Sequence, residues 1–234
     1  MAHLIEVKDA YKIYNPGENE VHALDGVSLT VDRGEFLMIV GHSGSGKSTL
    51  MNMLGLLDIC TSGEYLIDGK DVSNLSDDEL SEIRNKEIGF IFQGFNLIPS
   101  LTAKGNVELP LIYRGVKKDE REKLSVDALR RVGLEKRMNH LPSQMSGGQQ
   151  QRAGIARAFI TRPDIVFADE PTGNLDSKTT KEVMEMIHRF ARTFHQTIVL
   201  VSHDPEMTEY ADRIVTLVDG EIVSDKRTRG ESAI

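Results

Sequence analysis

The fold is decided by the stretch FLMIVGHSGSGKST, residues 36–49. Its first five residues are apolar and predict a buried strand, and the apolar-rich LMNMLGLL, residues 50–57, predicts a helix behind the loop. The loop itself, residues 41–48, fits the pattern GxxxxGK[ST]. That pattern binds phosphate when it lies between a strand and a helix, so we interpret it as a phosphate loop rather than as an ordinary glycine–serine turn.

The residue types in this loop are those that bind the phosphates of a nucleoside triphosphate. Glycines let the backbone turn and aim its N–H groups at phosphate oxygens, and the helix behind them points its N-terminus at the same anion. Lys47 would reach the β- and γ-phosphates, and the Ser48 hydroxyl can ligate Mg²⁺. His42 occupies a variable position of the pattern, so its side chain is assigned no role. The predicted ATP-binding loop is Gly41, His42, Ser43, Gly44, Ser45, Gly46, Lys47, Ser48 and Thr49.

Composition bounds the class of protein. The 234 residues carry 28 basic and 36 acidic side chains, a net charge of −8, which does not fit a protein held on nucleic acid by a basic surface. A single cysteine, Cys60, excludes an internal disulfide framework. No apolar run approaches the roughly 18 residues of a membrane-spanning helix, and the first residues resemble no signal segment. We therefore expect a partner to hold the chain wherever it works at a membrane.

Strand and helix patterns alternate along most of the chain, which is typical of a parallel sheet covered by helices. Strands are predicted at 4–8, 64–72, 88–92, 164–169 and 197–202, a helix at 177–193 and a hairpin at 213–223. Residues 94–160 differ, because they carry helical patterns at 117–132 and 146–160 and little strand. The alternation resumes after them, so this stretch is interpreted as an inserted helical subdomain.

Two further motifs carry polar chemistry. The strand IVFADE, residues 165–170, delivers Asp169 and Glu170 to a strand end, where ligands of open α/β sheets bind. Asp169 could hold Mg²⁺ and Glu170 could accept a proton from an attacking water, although strands often end in a carboxylate. The segment MSGGQQQR, residues 145–152, places a serine and two glycines before a helix. This is either a plain helix cap or a second phosphate-binding surface that serves another molecule's nucleotide.

Together these motifs resemble the nucleotide-binding subunit of an ABC transporter. GHSGSGKST resembles the family's Walker A motif, IVFADE its Walker B motif and MSGGQQQR its LSGGQ signature. The resemblance extends to Gln93 as the Q-loop residue, to Asn174-Leu175-Asp176 as the D-loop, to His203 as the H-switch and to Tyr14 as the A-loop aromatic.

The resemblance implies the following site. The fold would be an α/β P-loop ATPase core, residues 1–93 and 161–234, with an antiparallel β portion and with the helical subdomain at 94–160. ATP and Mg²⁺ would bind, with Tyr14 stacked on the base and Tyr11, three residues earlier, as the alternative aromatic. The catalytic residues would be Glu170, His203 and Gln93, and the metal ligands Ser48, Gln93 and Asp169. A second copy, paired head to tail, would contribute Ser146, Gly147, Gly148, Gln149 and Asp176.

A narrower resemblance concerns the partner. FQGFNLIPSLTAKGNVELPL, residues 92–111, and DEPTGNLDSKT, residues 169–179, are similar to the lipoprotein-release, macrolide-efflux and antimicrobial-peptide-resistance ATPases. This implies an integral membrane permease, a cytoplasmic location on the inner face of the cell membrane, and no nucleic acid. Gly94 and Gly105 depart from that subfamily's usual residues.

Two other functions use the same motifs. A regulatory ATPase would signal through a membrane partner without moving substrate. An ABC ATPase of DNA repair or translation would carry long coiled-coil insertions or tandem ATPase domains, and this acidic chain has neither.

Overall fold

The computed structural model describes residues 3–17 and 19–228. The chain forms two compact units, one of residues up to 84 together with those from 197 onward, the other of residues 85–196. In chain order the elements are β1 (Ile5–Tyr14), β2 (Val21–Val31), β3 (Phe36–Val40), α1 (Lys47–Leu54), β4 (Ser62–Ile67), β5 (Lys70–Asp71), α2 (Asp77–Glu87), β6 (Ile88–Phe92), α3 (Ala103–Tyr113), α4 (Lys118–Arg131), α5 (Gly147–Phe159), β7 (Ile165–Asp169), α6 (Ser177–Phe194), β8 (Thr197–Val201), β9 (Arg213–Val218) and β10 (Glu221–Arg227).

The first unit contains an antiparallel sheet in the order β2-β1-β4-β5. Ile5 pairs with Val31 on one side and with Ile67 on the other. The turn between β4 and β5 is formed by Asp68 and Gly69, both with positive φ. The antiparallel portion predicted for the N-terminal segments is therefore confirmed.

The same unit contains the strand that precedes the phosphate loop. β3 lies between β8 and β9 and is parallel to both. Residues 36–39 are at most 1% exposed, because a central parallel strand is buried on both faces, which explains its unbroken apolar run. β9 and β10 form the predicted hairpin over Asp219-Gly220.

The second unit combines a parallel strand pair with helices. β6 pairs with β7, and α5 packs against β6 and against α3, α4 and α6. The centre is apolar and includes the fully buried Ile155, Phe167 and Val183. Phe159 meets Phe190 edge to face, with ring centroids 5.4 Å apart.

The predicted α/β class with an antiparallel sheet and a helical part is confirmed, with local differences. β1 extends to Tyr14, beyond the predicted 4–8, and the strand predicted at 64–72 is divided into β4 and β5 by the turn at Asp68 and Gly69. α1 spans Lys47–Leu54 rather than 50–57, because Gly46 at φ 99° starts it and Gly55 ends it. α3 was not predicted as a separate helix, since Gly105 and Pro110 within it are poor helix formers. Residues 94–160, all of them described, contain α3–α5 and no strand; the subdomain boundaries near 94 and 160 stay a prediction. Within the described ranges, no helix combines the length and the apolarity needed to cross a bilayer.

Candidate nucleotide-binding site

The phosphate loop joins β3 to α1 within the first unit. Gly44 (φ 82°) and Gly46 (φ 99°) adopt the left-handed backbone that favours glycine. A β-carbon at Gly46 would lie 2.4 Å from the Ala23 carbonyl oxygen, and one at Gly41 would lie 2.2 Å from that of Leu217. These glycines are thus required by the packing of the protein itself, before any ligand is considered.

Lys47 is folded back over this loop. Its ammonium donates to the carbonyl oxygens of Gly41 (2.8 Å) and His42 (2.7 Å), and the residue is only 8% exposed. The charge is therefore held at the loop before phosphate arrives. Ser45 Oγ is buried with no hydrogen-bond partner among the described residues. A loop of left-handed glycines with a buried cation, at a helix N-terminus, fits an anionic phosphate.

The other loop side chains face outward. The ring of His42 contacts its own loop at Ser43 O (2.8 Å) and lies 3.6 Å from Asp219, with its side chain 55% exposed. Ser48 is exposed in the first turn of α1 and Thr49 is half-buried beside it, so the Ser48 hydroxyl is available to a metal ion bound at the phosphates.

His203 follows β8, the parallel neighbour of β3. Because Ile39 pairs with Val201, the residues after both strands leave the sheet at the same edge. The predicted H-switch residue is exposed there and shares this edge with Gly41, the start of the phosphate loop.

Tyr14 ends β1 and is 37% exposed. Its hydroxyl donates to Asp58 Oδ2 at 2.8 Å, and the Lys12 ammonium lies 4.9 Å from its ring centroid. Sequence reasoning missed both neighbours. Asp58 is 44 residues away, and no motif marked it.

In the second unit, β6 and β7 bring the predicted catalytic groups to one strand end. Phe92 pairs with Asp169, so Gln93 and Glu170 both follow directly after the paired ends. Glu170 has φ 41°, a left-handed backbone conformation that is unusual for residues other than glycine. Carboxylate and amide oxygens are the ligands that Mg²⁺ prefers, so Asp169 and Gln93 fit that ion.

The loop after Glu170 contacts Gln93 directly. Asn174 Nδ2 donates to the Gln93 carbonyl oxygen at 3.0 Å, and a β-carbon at Gly173 would lie 2.6 Å from Gln93 Nε2. Gln151, a fully buried residue of α5, donates to the Pro171 carbonyl oxygen in the same loop. Gly173, Asn174 and Gln151 thus fix the loop beside Gln93. All three lie within the motif segments 145–152 and 169–179, but the sequence did not reveal these contacts.

The predicted second phosphate surface and the predicted D-loop aspartate both occupy helix caps. Ser146 caps α5, accepting from Gln149 N, while Gln149 Oε1 accepts from Ser146 N at 3.1 Å. Asp176 caps α6, and the hydroxyl and N–H of Thr179 hold the pKa of its carboxyl below the ordinary value. Gly147 and Gly148 form the first turn of α5, so the structure contains the helix N-terminus expected of a phosphate-binding surface.

Comparisons with known proteins agree with this geometry. The family model described as ABC transporter matches residues 24–173. The chain is 50% identical over 227 residues to MacB, a macrolide export ATP-binding/permease protein of Chlorobaculum tepidum, covering 96% of this chain and 34% of that protein. It is 48% identical to an uncharacterized ABC transporter ATP-binding protein of Methanocaldococcus jannaschii, covering 97% and 98%.

The chain thus spans about a third of the length of the macrolide export relatives it matches. A dimeric post-hydrolysis structure of the ATP-binding cassette MJ0796, bound to ADP and Pi, superposes with a TM-score of 0.90 at 45% identity, covering 97% of this chain and 99% of that one. The family model covers more than half of the chain, and the relatives match it nearly end to end. The chain therefore belongs to the ABC transporter family, of which it is an ATPase cassette.

Proposed function

We propose that this chain binds Mg-ATP, hydrolyses it in a head-to-tail dimer, and thereby drives an integral membrane permease. The observation that carries the proposal is the Lys47 ammonium, held by two loop carbonyls at the N-terminus of α1. Only a multiply charged anion makes full use of a buried cation and a helix N-terminus together.

Within this proposal the site residues act as follows. Lys47 binds the β- and γ-phosphates, while Ser48, Asp169 and Gln93 hold Mg²⁺. When bound, that ion supplies positive charge to the reacting phosphate oxygens. Glu170 accepts the proton of the attacking water, and His203 hydrogen-bonds the γ-phosphate and orients that water.

The dimer is proposed from the second phosphate surface. The chain has one GxxxxGK[ST] loop, yet Ser146 and the two glycines after it form another helix N-terminus. That surface would bind the γ-phosphate held by the other copy, with Gln149 and Asp176 beside it. The dimeric state of the MJ0796 cassette supports this arrangement.

A groove in the second unit supports a permease partner. A cavity of about 240 Å³ is lined by side chains that include Phe90, Phe92 and Pro110 and by one cation, Arg157. Nearby on α3, Ile112 and Tyr113 are 45% and 77% exposed. An apolar groove with exposed apolar neighbours suits the apolar stripe of a short cytoplasmic permease helix. The ATPase would then lie in the cytoplasm on the inner face of the cell membrane.

The substrate class is proposed from the relatives. MacB of Chlorobaculum tepidum is named for macrolide export, and the matching motifs also resemble lipoprotein-release ATPases. Export or extraction of a hydrophobic substrate, such as a lipoprotein, peptide or macrolide, is therefore the function we favour. Substrate-dependent transport in vesicles would separate it from an ATPase that only signals through its permease.

Phosphate release by the purified chain tests the hydrolysis. We expect release that requires Mg²⁺, and a loss of at least roughly 100-fold in Lys47→Ala. Lys118→Ala, at the exposed start of α4, is the matched control and should hydrolyse ATP normally. Folded Lys47→Ala protein with wild-type turnover would overturn the proposal.

The permease contact is tested separately by Tyr113→Glu, because this side chain is already exposed and the change should not unfold the chain. The variant should keep its own hydrolysis and lose co-purification with its permease. Val223→Glu, at a similarly exposed apolar position on β10, should retain the partner. Equal retention by both variants would contradict docking at α3.

A further inference from the structure

Three side chains at the end of β1 form one connected cluster. Lys12 and Tyr14 are two residues apart on the strand and so project from the same face. Asp58 joins them, accepting from Lys12 Nζ at 2.6 Å through Oδ1 and from the Tyr14 hydroxyl at 2.8 Å through Oδ2. The cluster therefore links a ring, a cation and a carboxylate through both carboxylate oxygens.

The carboxylate and the cation are themselves fixed by the backbone. Asp58 Oδ1 also accepts from the Ile59 N–H at 2.8 Å, and Lys12 Nζ donates to the Ile59 carbonyl oxygen at 2.8 Å. Lys12 is only 9% exposed. Burial alone would raise the pKa of the Asp58 carboxyl, but hydrogen bonds from Lys12 and Tyr14 outweigh it and hold that pKa below its ordinary value. Asp58 is therefore ionised at neutral pH.

This arrangement restricts the Tyr14 ring. The Lys12 ammonium lies 4.9 Å from the ring centroid, a cation–π contact that covers one face. The hydrogen bond to Asp58 stops the ring from swinging about its side-chain bonds. The residue is still 37% exposed, so part of it remains accessible to a ligand.

We propose that Lys12 and Asp58 are positioning residues that hold Tyr14 with one face covered and the other presented to the base of the nucleotide. This rests on the proposed role of Tyr14 as the base-stacking residue. Stacking on a ring face does not involve the hydrogen-bonding edge of the base, so it does not distinguish one purine from another. Loss of the positioning residues should therefore weaken the binding of any purine nucleotide and leave the rate of hydrolysis unchanged.

The test separates base binding from phosphate binding. Competition against a fluorescent ribose-labelled nucleotide measures the affinities for ATP, GTP and inorganic tripolyphosphate, which has no base. We expect Asp58→Ala to weaken ATP and GTP by about 3–10-fold, to raise KM with kcat within about two-fold, and to leave tripolyphosphate unchanged. In a Tyr14→Ala background the same substitution should have no further effect.

Because Asp58→Ala leaves the Lys12 charge unpaired, a second variant is needed. Lys12→Met combined with Asp58→Asn removes both charges together and should show the same selective loss. Lys8 and Glu64 form another lysine–carboxylate pair between β1 and β4, at 3.5 Å. Lys8→Met combined with Glu64→Gln is therefore the matched control and should bind all three ligands normally.

The outcomes distinguish the two proposals. If Tyr14→Ala binds ATP as the wild type does, its base-stacking role fails. If Tyr14→Ala weakens ATP but the Lys12 and Asp58 variants do not, or if their losses add to that of Tyr14→Ala, the positioning role fails. Equal losses for ATP and tripolyphosphate would also overturn it, since the effect would then run through the phosphate loop.

Discussion

Gly173 lies directly against the side-chain amide of Gln93: a β-carbon at position 173 would come within 2.6 Å of Gln93 Nε2. The Gln93 main chain is held in the same place by Asn174, which donates to its carbonyl oxygen at 3.0 Å. The loop that follows Glu170, the proposed catalytic base, therefore determines the position of Gln93, the proposed metal ligand.

Gly173→Ala should displace Gln93 without straining the backbone, because φ at this position is not in the left-handed region. We expect kcat to fall by about 10–100-fold, the effect of moving a catalytic group by about 1 Å, with ATP affinity nearly unchanged. Gly154→Ala, whose β-carbon would make only ordinary contacts at 3.7 Å, is the control. Full activity in Gly173→Ala would show that Gln93 is not required in this position.

Glu170→Gln should abolish hydrolysis while keeping ATP bound. The amide preserves the size of the side chain but cannot accept the proton of the attacking water. Turnover should fall by roughly 10²–10⁴-fold, measured as phosphate release beside a direct ATP-binding assay. Glu185→Gln, exposed on α6, should be fully active. Near-normal turnover in Glu170→Gln would refute the assignment of the base.

ATP, and not ADP, should drive dimerisation. The γ-phosphate is the group that the Ser146–Gly148 surface of the other copy would bind. Sedimentation of the Glu170→Gln protein should show a dimer with ATP and a monomer with ADP. A dimer that forms equally with ATP, with ADP or without nucleotide would contradict an ATP site shared between two copies.

Gly148→Ala should destabilise the second unit. Its β-carbon would lie 2.6 Å from Thr179 Cγ2, and Thr179 cannot turn away because its hydroxyl donates to Asp176 at 2.7 Å. We expect a loss of about 1–3 kcal/mol in the free energy of unfolding. Adding Thr179→Ser removes the methyl group, keeps the capping hydroxyl and should restore most of the stability. If the second substitution gives no recovery, the steric explanation is wrong.

Asp225→Asn tests a pH-dependent contact in the first unit. Arg213, only 9% exposed, donates Nε to Asp225 Oδ1 at 2.6 Å, and this bond holds the pKa of the Asp225 carboxyl below its ordinary value. A lowered pKa in the folded chain stabilises it above about pH 4, and that contribution is lost as the pH falls through the folded value.

The variant should therefore lose about 1 kcal/mol at pH 7, with the difference from wild type shrinking below about pH 4. Denaturant unfolding at several pH values measures it. Asp127→Asn, which breaks an exposed helix pair with Arg131, should cost less than about 0.5 kcal/mol. A difference that grows in acid would contradict the pairing.

The sequence alone predicted the features that depend on neighbouring residues. The phosphate loop, the strand ending in Asp169 and Glu170, and the Asp219-Gly220 hairpin all follow from side-chain pattern and turn chemistry within about ten residues. The family was correctly identified from its motifs, and the antiparallel sheet was correctly predicted from the resemblance to that family. Helix α3 was not, because Gly105 and Pro110 weaken its local signal and its Thr102 cap and packing on α5 stabilise it instead.

Only the tertiary structure revealed how these motifs are supported. Asp58 meets Tyr14 across 44 residues of sequence, and Asn174 meets Gln93 across 81. Asn174 belongs to the predicted D-loop and Asp58 to no motif, but in neither case does the local sequence show which distant group the side chain contacts. These hydrogen-bond partners are determined by the tertiary fold, because each hydrogen bond needs two groups within about 3 Å of each other. Strand pairing and helix packing bring those groups together.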